Sequence, residues 1–441
     1  MGRGFKAFSA FVGAALISLL VAGVGLAAEP SLESALPANL SAYLSSIGVD
    51  PASVVTQDGV RNYAGPNCPG KDWLCTTSTV VLQTAEPGGQ NVAECTGSVV
   101  TEPGQTCVIM QPSPSGSNTA RCVERTSTAV ALQSCLIVQT GDKNEAFVEQ
   151  SANQHDSAVE TATQTASVTQ TGTTRNLVHL SQNVDEYTNV GSVQVQDVHQ
   201  SVVVLQTVTG TGNNSAQVNQ SHDEKAFDGA TQSQNTRPPS ADCDTDVLSP
   251  TQPNACANIE QHADAGDNDL HLRQSMGQDA NSSDVATQQQ GLPAGGLDGR
   301  VHQETVTGTS MNDANQNQAQ QVLAAPGSTQ TQFDPVFCCD LSQIGGTGNT
   351  EKIDQSSSQK SSSPLAFQEL SIVGESVSPT GTCSVTQHGR VDVDTANNSV
   401  SLSPCPFVEL VTACVSASEE AAGGCTAFPP ITTPPELTRL H

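Results

Sequence analysis

Through the middle of the chain, three residues recur at alternate positions: a small residue, an aliphatic and a glutamine. Cys135-Ile137-Gln139, Ala166-Val168-Gln170, Ala257-Ile259-Gln261, Gly299-Val301-Gln303 and Cys339-Leu341-Gln343 fit, and Val202-Val204-Gln206 fits with a larger first residue. A glycine-bearing gap follows each triplet. A second alternating segment then opens with Asn and closes with Gln. These segments are Asn144-Ala146-Val148-Gln150, Asn176-Val178-Leu180-Gln182, Asn214-Ala216-Val218-Gln220, Asn268-Leu270-Leu272-Gln274, Asn312-Ala314-Gln316-Gln318 and Asn349-Glu351-Ile353-Gln355. Period-two spacing places alternate side chains on opposite faces of a strand. The residues named therefore share one face, and those between them are mostly polar, such as Asp269, His271 and Arg273. Glu351 falls on the inner face, Gln316 replaces an aliphatic, and Leu136, Val138 and Phe147 are apolar on the outer face.

A strand–turn–strand unit with one narrow buried face cannot stand alone. Stacked on copies of itself, it pairs its backbone with the units above and below, about 4.8 Å away. Amide side chains then lie above one another, each donating to one neighbour and accepting from the other. A buried amide without such partners costs roughly 1–3 kcal/mol. Glycine in the gap supplies the backbone freedom of a tight reversal. Weaker copies flank this region: Cys107-Ile109-Gln111 before Asn118-Ala120-Cys122-Glu124, and Cys383-Val385-Gln387 before Asn398-Val400-Leu402. Units start at irregular intervals, so Asn235–Pro253, Leu292–Gly299 and Ala324–Ser328 are expected to loop out.

Aromatic residues make up only 3% of the chain, with Trp73 the single tryptophan. Bulky cores are hard to build from this composition, which leaves disorder or a repeat fold held by backbone ladders. The repeated units favour the second. The start of the chain predicts a cleavable secretory signal: Arg3 and Lys6, an apolar run from Ala7 to about Leu26, and small residues for cleavage after Ala27 or Ala28. No later segment is apolar for long enough to span a bilayer. In an exported chain the 14 cysteines point to disulfides. The candidates are Cys68, Cys75, Cys95, Cys107, Cys122, Cys135, Cys243, Cys256, Cys338, Cys339, Cys383, Cys405, Cys414 and Cys425. None forms a paired CxxC arrangement, so structural zinc is not expected. The formal charge of −28 argues against nucleic acid and anionic membranes as partners.

The expected organisation is a signal peptide at 1–28, a short helical segment at 29–52, a disulfide-rich β region at 53–134, the β repeats at 135–355, and a cysteine-containing cap and tail at 356–441. The helix rests on Leu40, Tyr43, Leu44 and Ile47, which share one helical face within Pro37–Ile47. It is expected to dock as a cap over the following domain. The fold class is all-β, a β-solenoid-like stack with disulfide-rich ends.

The unit Gln139-x-Gly141-x-x-Asn144-x-Ala146-x-x-x-Gln150 resembles the repeat of curlins, the subunits of bacterial curli fibres. The other units resemble it more loosely, over about residues 135–355. The resemblance implies a stacked strand–loop–strand architecture, secretion and amyloid assembly in a biofilm matrix. It casts Gln139, Asn144, Gln150, Gln170, Asn176, Gln182, Gln206, Asn214, Gln220, Gln261, Asn268, Gln274, Gln303, Asn312, Gln318, Gln343, Asn349 and Gln355 as structural ladder residues. This chain departs from curlins in its inserted loops, proline-rich stretches and cysteines, which would oppose end-to-end fibre growth.

Catalytic signatures are missing: there is no HExxH, GxSxG, P-loop or dinucleotide-binding glycine pattern. His179 and His271 fall on outer strand faces. His262-x-Asp264 and Asp267-x-Asp269 read as solvated turns before they read as a metal patch. No catalytic residue, metal site or cofactor is therefore expected. The sequence points to a secreted structural or adhesive protein of the cell surface or matrix, with self-association or other matrix components as partners. Two alternatives are a soluble binding module for carbohydrate, ice or cations, and a polysaccharide-degrading enzyme. The mixed outer rows weaken the first, and the scarcity of basic residues weakens the second.

Overall fold

The computed structural model describes residues between 54 and 426, with breaks, and side chains between 54 and 313. The expected signal and the helix at Pro37–Ile47 lie outside the described residues. So do the side chains of Cys68, Cys75, Cys243, Cys256, Cys338, Cys339, Cys383, Cys405, Cys414 and Cys425.

The described chain is all-β, and its strands pair in parallel with strands of the preceding and following layers. Val55–Gly65 pairs with Val80–Ser98, which pairs with Gly104–Pro112 and Gly116–Thr126. Both of those pair with Val130–His155, and that strand pairs with Val159–Thr188. Val193–Val208 and Asn213–Phe227 come next, then Ala255–Ala263 and Asn268–Asn281, then Leu297–Thr305 and Ser310–Leu323. Parallel pairing continues through Thr350–Ser361 and Thr382–Val393 to Glu409–Ala417. There Ala413 and Cys414 pair antiparallel with Thr426 and Cys425.

Each layer has two arms joined by an arc. In Val130–His155 the first arm ends at Gln139 and the second begins at Asn144. The arms face each other: the Gln139 side chain donates to the Glu145 carbonyl at 3.0 Å, and the Gln133 side chain to the Ser151 carbonyl at 3.1 Å. The space between the arms is the core. Ile109, Ile137, Ile259, Leu270, Leu272 and Met276 are its largest fully buried side chains. Each of these contributes about 1.5–3 kcal/mol by leaving water. Ala146, Ala166, Ala216 and Ala257 lie among them and keep the arms close. A chain poor in aromatics can fill this space because it is narrow and long.

The boundary expected at 134/135 falls inside one strand, Val130–His155. Asn62, Asn91 and Asn118 stand below Asn144 in successive layers, so the cysteine-containing part is the same stack. The 235–253 insertion opens between strands ending at Asn235 and resuming at Ala255, and pairing holds on both sides.

The register also corrects part of the repeat assignment. Asn268 lies opposite Ser310, Leu270 opposite Asn312, Gln274 opposite Gln316 and Met276 opposite Gln318. Ser310 and Gln316 therefore occupy the positions expected for Asn312 and Gln318. Gln316 then pairs with Gln355, and Glu351 lies opposite Asn312. Asn349 lies outside the described residues. Glycine explains the two-residue difference. A Cβ on Gly266 would sit 1.5 Å from the Gly212 carbonyl oxygen, and one on Gly308 would sit 1.8 Å from that of Gly266. These glycines form a column in the arc that admits no side chain. The residue two places on, Asn214, Asn268 or Ser310, starts the next arm.

Candidate functional site: the amide ladders of the core

The polar residues of the core form continuous hydrogen-bonded columns. In the first arm, the Nε2 of each glutamine donates to the Oε1 of the glutamine one layer earlier. Gln83 donates to Gln57 at 2.6 Å, Gln111 to Gln83 at 2.8 Å and Gln139 to Gln111 at 2.8 Å. Gln170, Gln206, Gln261 and Gln303 extend the column at 2.7–2.9 Å. Each of these amides also donates across the core to a carbonyl of its own second arm, as Gln170 does to Leu177 at 2.9 Å and Gln303 to Met311 at 3.0 Å. One side chain thus locks both the layer spacing and the closure of the two arms.

The asparagines at the start of the second arm run in the opposite sense. Asn62 donates to Asn91, Asn91 to Asn118 and Asn118 to Asn144, each at 2.8 Å. Asn144, Asn176 and Asn214 continue to Asn268 at 2.9 Å per step. Their second amide hydrogen reaches an arc carbonyl of the next layer, such as Thr171 from Asn144 at 2.9 Å. A third column climbs the second arm, with Gln274 on Gln220, Gln220 on Gln182 and Gln182 on Gln150. A fourth, Gln200 on Gln164 on Gln133 on Gln105, lies farther from the arc. Its members are buried, and sequence reasoning did not single them out. Their signal was a second glutamine six residues before Gln139, Gln170 and Gln206. Gln343 and Gln355 lie in register above Gln303 and Gln316 by backbone pairing.

Ionisable residues are buried in the same core, one of them within these columns and the others in neighbouring rows. Glu124, at the foot of the third column, accepts from Gln150 Nε2 at 2.6 Å and is fully buried. Burial pushes its carboxyl up to about 8, against smaller opposing effects of the Gln150 hydrogen bond and the Ser134 backbone. Glu186 and Glu224 are buried in register with one another, and Gln278 donates to Glu224 at 3.0 Å. Glu160, also buried, accepts from Gln196 at 3.1 Å. His222 stacks between Val184 and Met276, and both ring nitrogens are buried without a partner. Burial pushes its imidazole down to about 3, with nearby His199 adding to the shift.

Two disulfides cross the core, Cys95–Cys107 and Cys122–Cys135, with Cα separations of 6.0 and 6.4 Å. Each joins the second arm of one layer to the first arm of the next. The sulfurs of Cys107, Cys122 and Cys135 lie within 4.8 Å of one another. Their commitment to disulfides leaves no thiolate there for a metal. On the outside, His262 lies 3.6 Å from Asp264 and 3.3 Å from Glu304, while His271 lies 3.6 Å from Asp269 and 3.8 Å from Asp313. Asp267 instead accepts from the Thr309 backbone and hydroxyl. Each histidine thus lies between two carboxylates on the outer face; among the described residues neither group of three draws its ligand atoms together as a metal set. Phe147 and His179 stack outside the second arm, 5.4 Å apart and 13° from parallel.

The arrangement defines an all-β protein of stacked parallel strands with buried disulfides, which fits an oxidising compartment. Among the described residues, no helix is long and apolar enough to cross a membrane. Compared with protein-family models, curated proteins and solved structures, the chain matches none.

Proposed function

We propose that this chain is a secreted structural or adhesive protein of the cell surface or extracellular matrix, a β-solenoid of curlin-like repeats that works through self-association. The observation that carries this reading is the glutamine column from Gln57 to Gln303, continuous through every layer whose side chains are described. A core built this way is a scaffold. Its polar atoms are spent on register, and its outward side chains are left to meet partners. A further strand carrying the same amides, one strand spacing away, would meet the hydrogen-bonding geometry that every internal layer meets. The work lies in the surface and the stack, with no catalytic step.

The test is incubation of the oxidised chain lacking residues 1–28, followed by thioflavin fluorescence and electron microscopy. Fibres with a cross-β reflection near 4.8 Å are the expected result. A persistent monomer that binds glycans or cations would replace this reading with a soluble binding module. Glycan cleavage by the purified protein would overturn both.

A further inference from the structure

Farther from the arc than His222, the second arms carry a row in which two carboxyls stand where amides would be expected. Gln154, Glu186, Glu224 and Gln278 lie in register in successive layers, and all four are buried. The third amide column, nearer the arc, shows what such a row requires. There every side chain donates to the one a layer earlier: Gln274 to Gln220, Gln220 to Gln182 and Gln182 to Gln150. The carboxyl row starts in the same sense from above, where Gln278 Nε2 donates to Glu224 at 3.0 Å. At its foot, Gln154 Nε2 donates to the Thr128 and Thr161 carbonyls at 2.6 and 2.9 Å, while Gln154 Oε1 is buried with no hydrogen-bond partner. That acceptor stands directly beneath Glu186 in the register.

An ionised carboxylate only accepts, whereas a protonated carboxyl also donates. Two ionised groups stacked here would set like charges about one strand spacing apart, ~4.8 Å, in a buried row. The surrounding groups do not offset such charges. The inward first-arm residues of the same two layers are Glu160, Ala162, Gln194, Gln196 and Val198. Glu160, the titratable one, is itself an acid, and it accepts from Gln196 Nε2 at 3.1 Å and from the Ser157 backbone at 3.3 Å. His222, inward two residues before Glu224, lies between Val184 and Met276, and neither ring nitrogen has a partner. Lys225 is on the outer face, where it pairs with Asp223 and Asp185. Tyr187 and Asp279 alternate outward as well.

We propose that Glu186 and Glu224 are held as carboxylic acids in the folded chain at neutral pH and form a proton-operated clasp between the layers. The Glu224 hydroxyl then donates to Glu186, and the Glu186 hydroxyl donates to Gln154 Oε1. The donor sense of the neighbouring amide column thus continues through the whole row. Each acid stands in for one glutamine, with the difference that base removes its donor. Loss of both protons leaves two stacked charges, so the far ends of the second arms part while the columns nearer the arc stay bonded. Carboxyls that keep their protons in the fold and lose them on unfolding contribute stability that is complete below the ordinary carboxylate range and is lost as the pH rises. The clasp therefore loosens in base, and it does so whether or not the chain forms fibres.

The test compares the oxidised chain lacking residues 1–28 with its Glu186→Gln/Glu224→Gln variant, which copies Gln278 and offers the row the same donors and acceptors. Unfolding each in urea at pH 7, in weak buffer with an indicator dye, counts the protons released, since carboxyls of the unfolded chain are ionised there. The parent should release about two protons more than the variant, and its unfolding constant should rise about a hundredfold more per pH unit. Hydrogen exchange in base, corrected for the intrinsic rate, should expose residues 183–188 and 221–227 in the parent and leave them protected in the variant. Equal proton release would overturn the proposal, as would release of a metal cation in place of protons. Should the variant fail to fold, the infrared spectrum of the Glu124→Gln chain at neutral pH decides. A carboxylic-acid carbonyl band that vanishes on unfolding supports the clasp, and carboxylate bands alone overturn it.

Discussion

Two buried groups in the same core titrate in opposite directions, and their contributions to stability oppose one another across the pH scale. Glu124 has its carboxyl raised from 4.5 to about 8. The folded chain therefore binds the proton more tightly than the unfolded chain. This contribution is complete below pH 4.5 and is lost as the pH rises towards 8. His222 is lowered from 6.5 to about 3. Its contribution is complete above pH 6.5 and is lost as the pH falls towards 3. Each shift amounts to about 5 kcal/mol at about 1.4 kcal/mol per pH unit. Between pH 4.5 and 6.5 the slopes have equal size and opposite sign, and they cancel. Of this pair, only Glu124 acts between 6.5 and 8 and only His222 between 4.5 and 3, so the pair contributes a loss of about 2 kcal/mol at each end. Urea unfolding followed by circular dichroism from pH 3 to 8 reads both limbs. Glu124→Gln should flatten the alkaline limb while keeping the Gln150 hydrogen bond, because glutamine offers the same acceptor. The new amide would lie beside Ser134, which is in register with Thr165, the residue whose carbonyl takes the Gln150 amide. His222→Met, copying Met276 one layer on, should flatten the acid limb and leave the alkaline one intact. A Glu124→Gln protein that loses stability from pH 6.5 to 8 as steeply as the parent would refute the assignment.

Three further outcomes follow from the core. Gln139→Leu removes the bonds to Gln111, Gln170 and the Glu145 carbonyl, and should cost about 3–5 kcal/mol by orphaning buried groups; an unchanged urea midpoint would count against amide ladders. Gly266→Ala should destabilise by about 3 kcal/mol because its Cβ meets the Gly212 carbonyl, whereas Gly104→Ala, with no atom within 4 Å, should be neutral; equal melting temperatures would dismiss the glycine column. Cys95–Cys107 and Cys122–Cys135 close short loops and should each contribute about 3 kcal/mol. Being buried, they should resist reductant until the chain is unfolded, and mass-tagging of thiols at rising urea concentration checks this.

The period-two pattern carried most of the core into view, because a buried face of alternating residues leaves its mark on the sequence directly. Gln139, Asn144 and Gln150 are bonded within that core as their spacing implies. The pattern misled where arc length changed. Asn312 looked like the opening asparagine, but stacking of Gly308 on Gly266 puts Ser310 in that place. The better signal was the glycine two residues earlier, shared by Asn91, Asn118, Asn214 and Asn268. Residues 53–134 read as a separate stapled region although Gln111-x₆-Asn118 was visible as a weaker copy; Gln83-x₇-Asn91, which carries the repeat one layer further, was not singled out among the cysteines. Leu136 and Val138 were visible as outward apolar residues, but the buried outer column of Val80, Val108 and Leu136 appears only once the layers are aligned. His222 stands two residues after Gln220, so the period-two row extended by one step already turns it inward; ending each segment at its glutamine left it unread.

The opposed directions of the amide columns give the stack a polarity that apolar residues could not. First-arm glutamines donate towards earlier layers, and the asparagines donate towards later ones. A layer inserted upside down would present donor to donor in one column and acceptor to acceptor in the other. A layer slipped by one residue would turn every amide outward. Leucine in the same places would resist the slip through the burial it would lose, yet would not distinguish the inverted layer, since the hydrophobic effect has no direction. The glutamines and asparagines therefore trade some burial for an unambiguous order of layers, which is what a chain with insertions of unequal length needs in order to resume pairing correctly after each one.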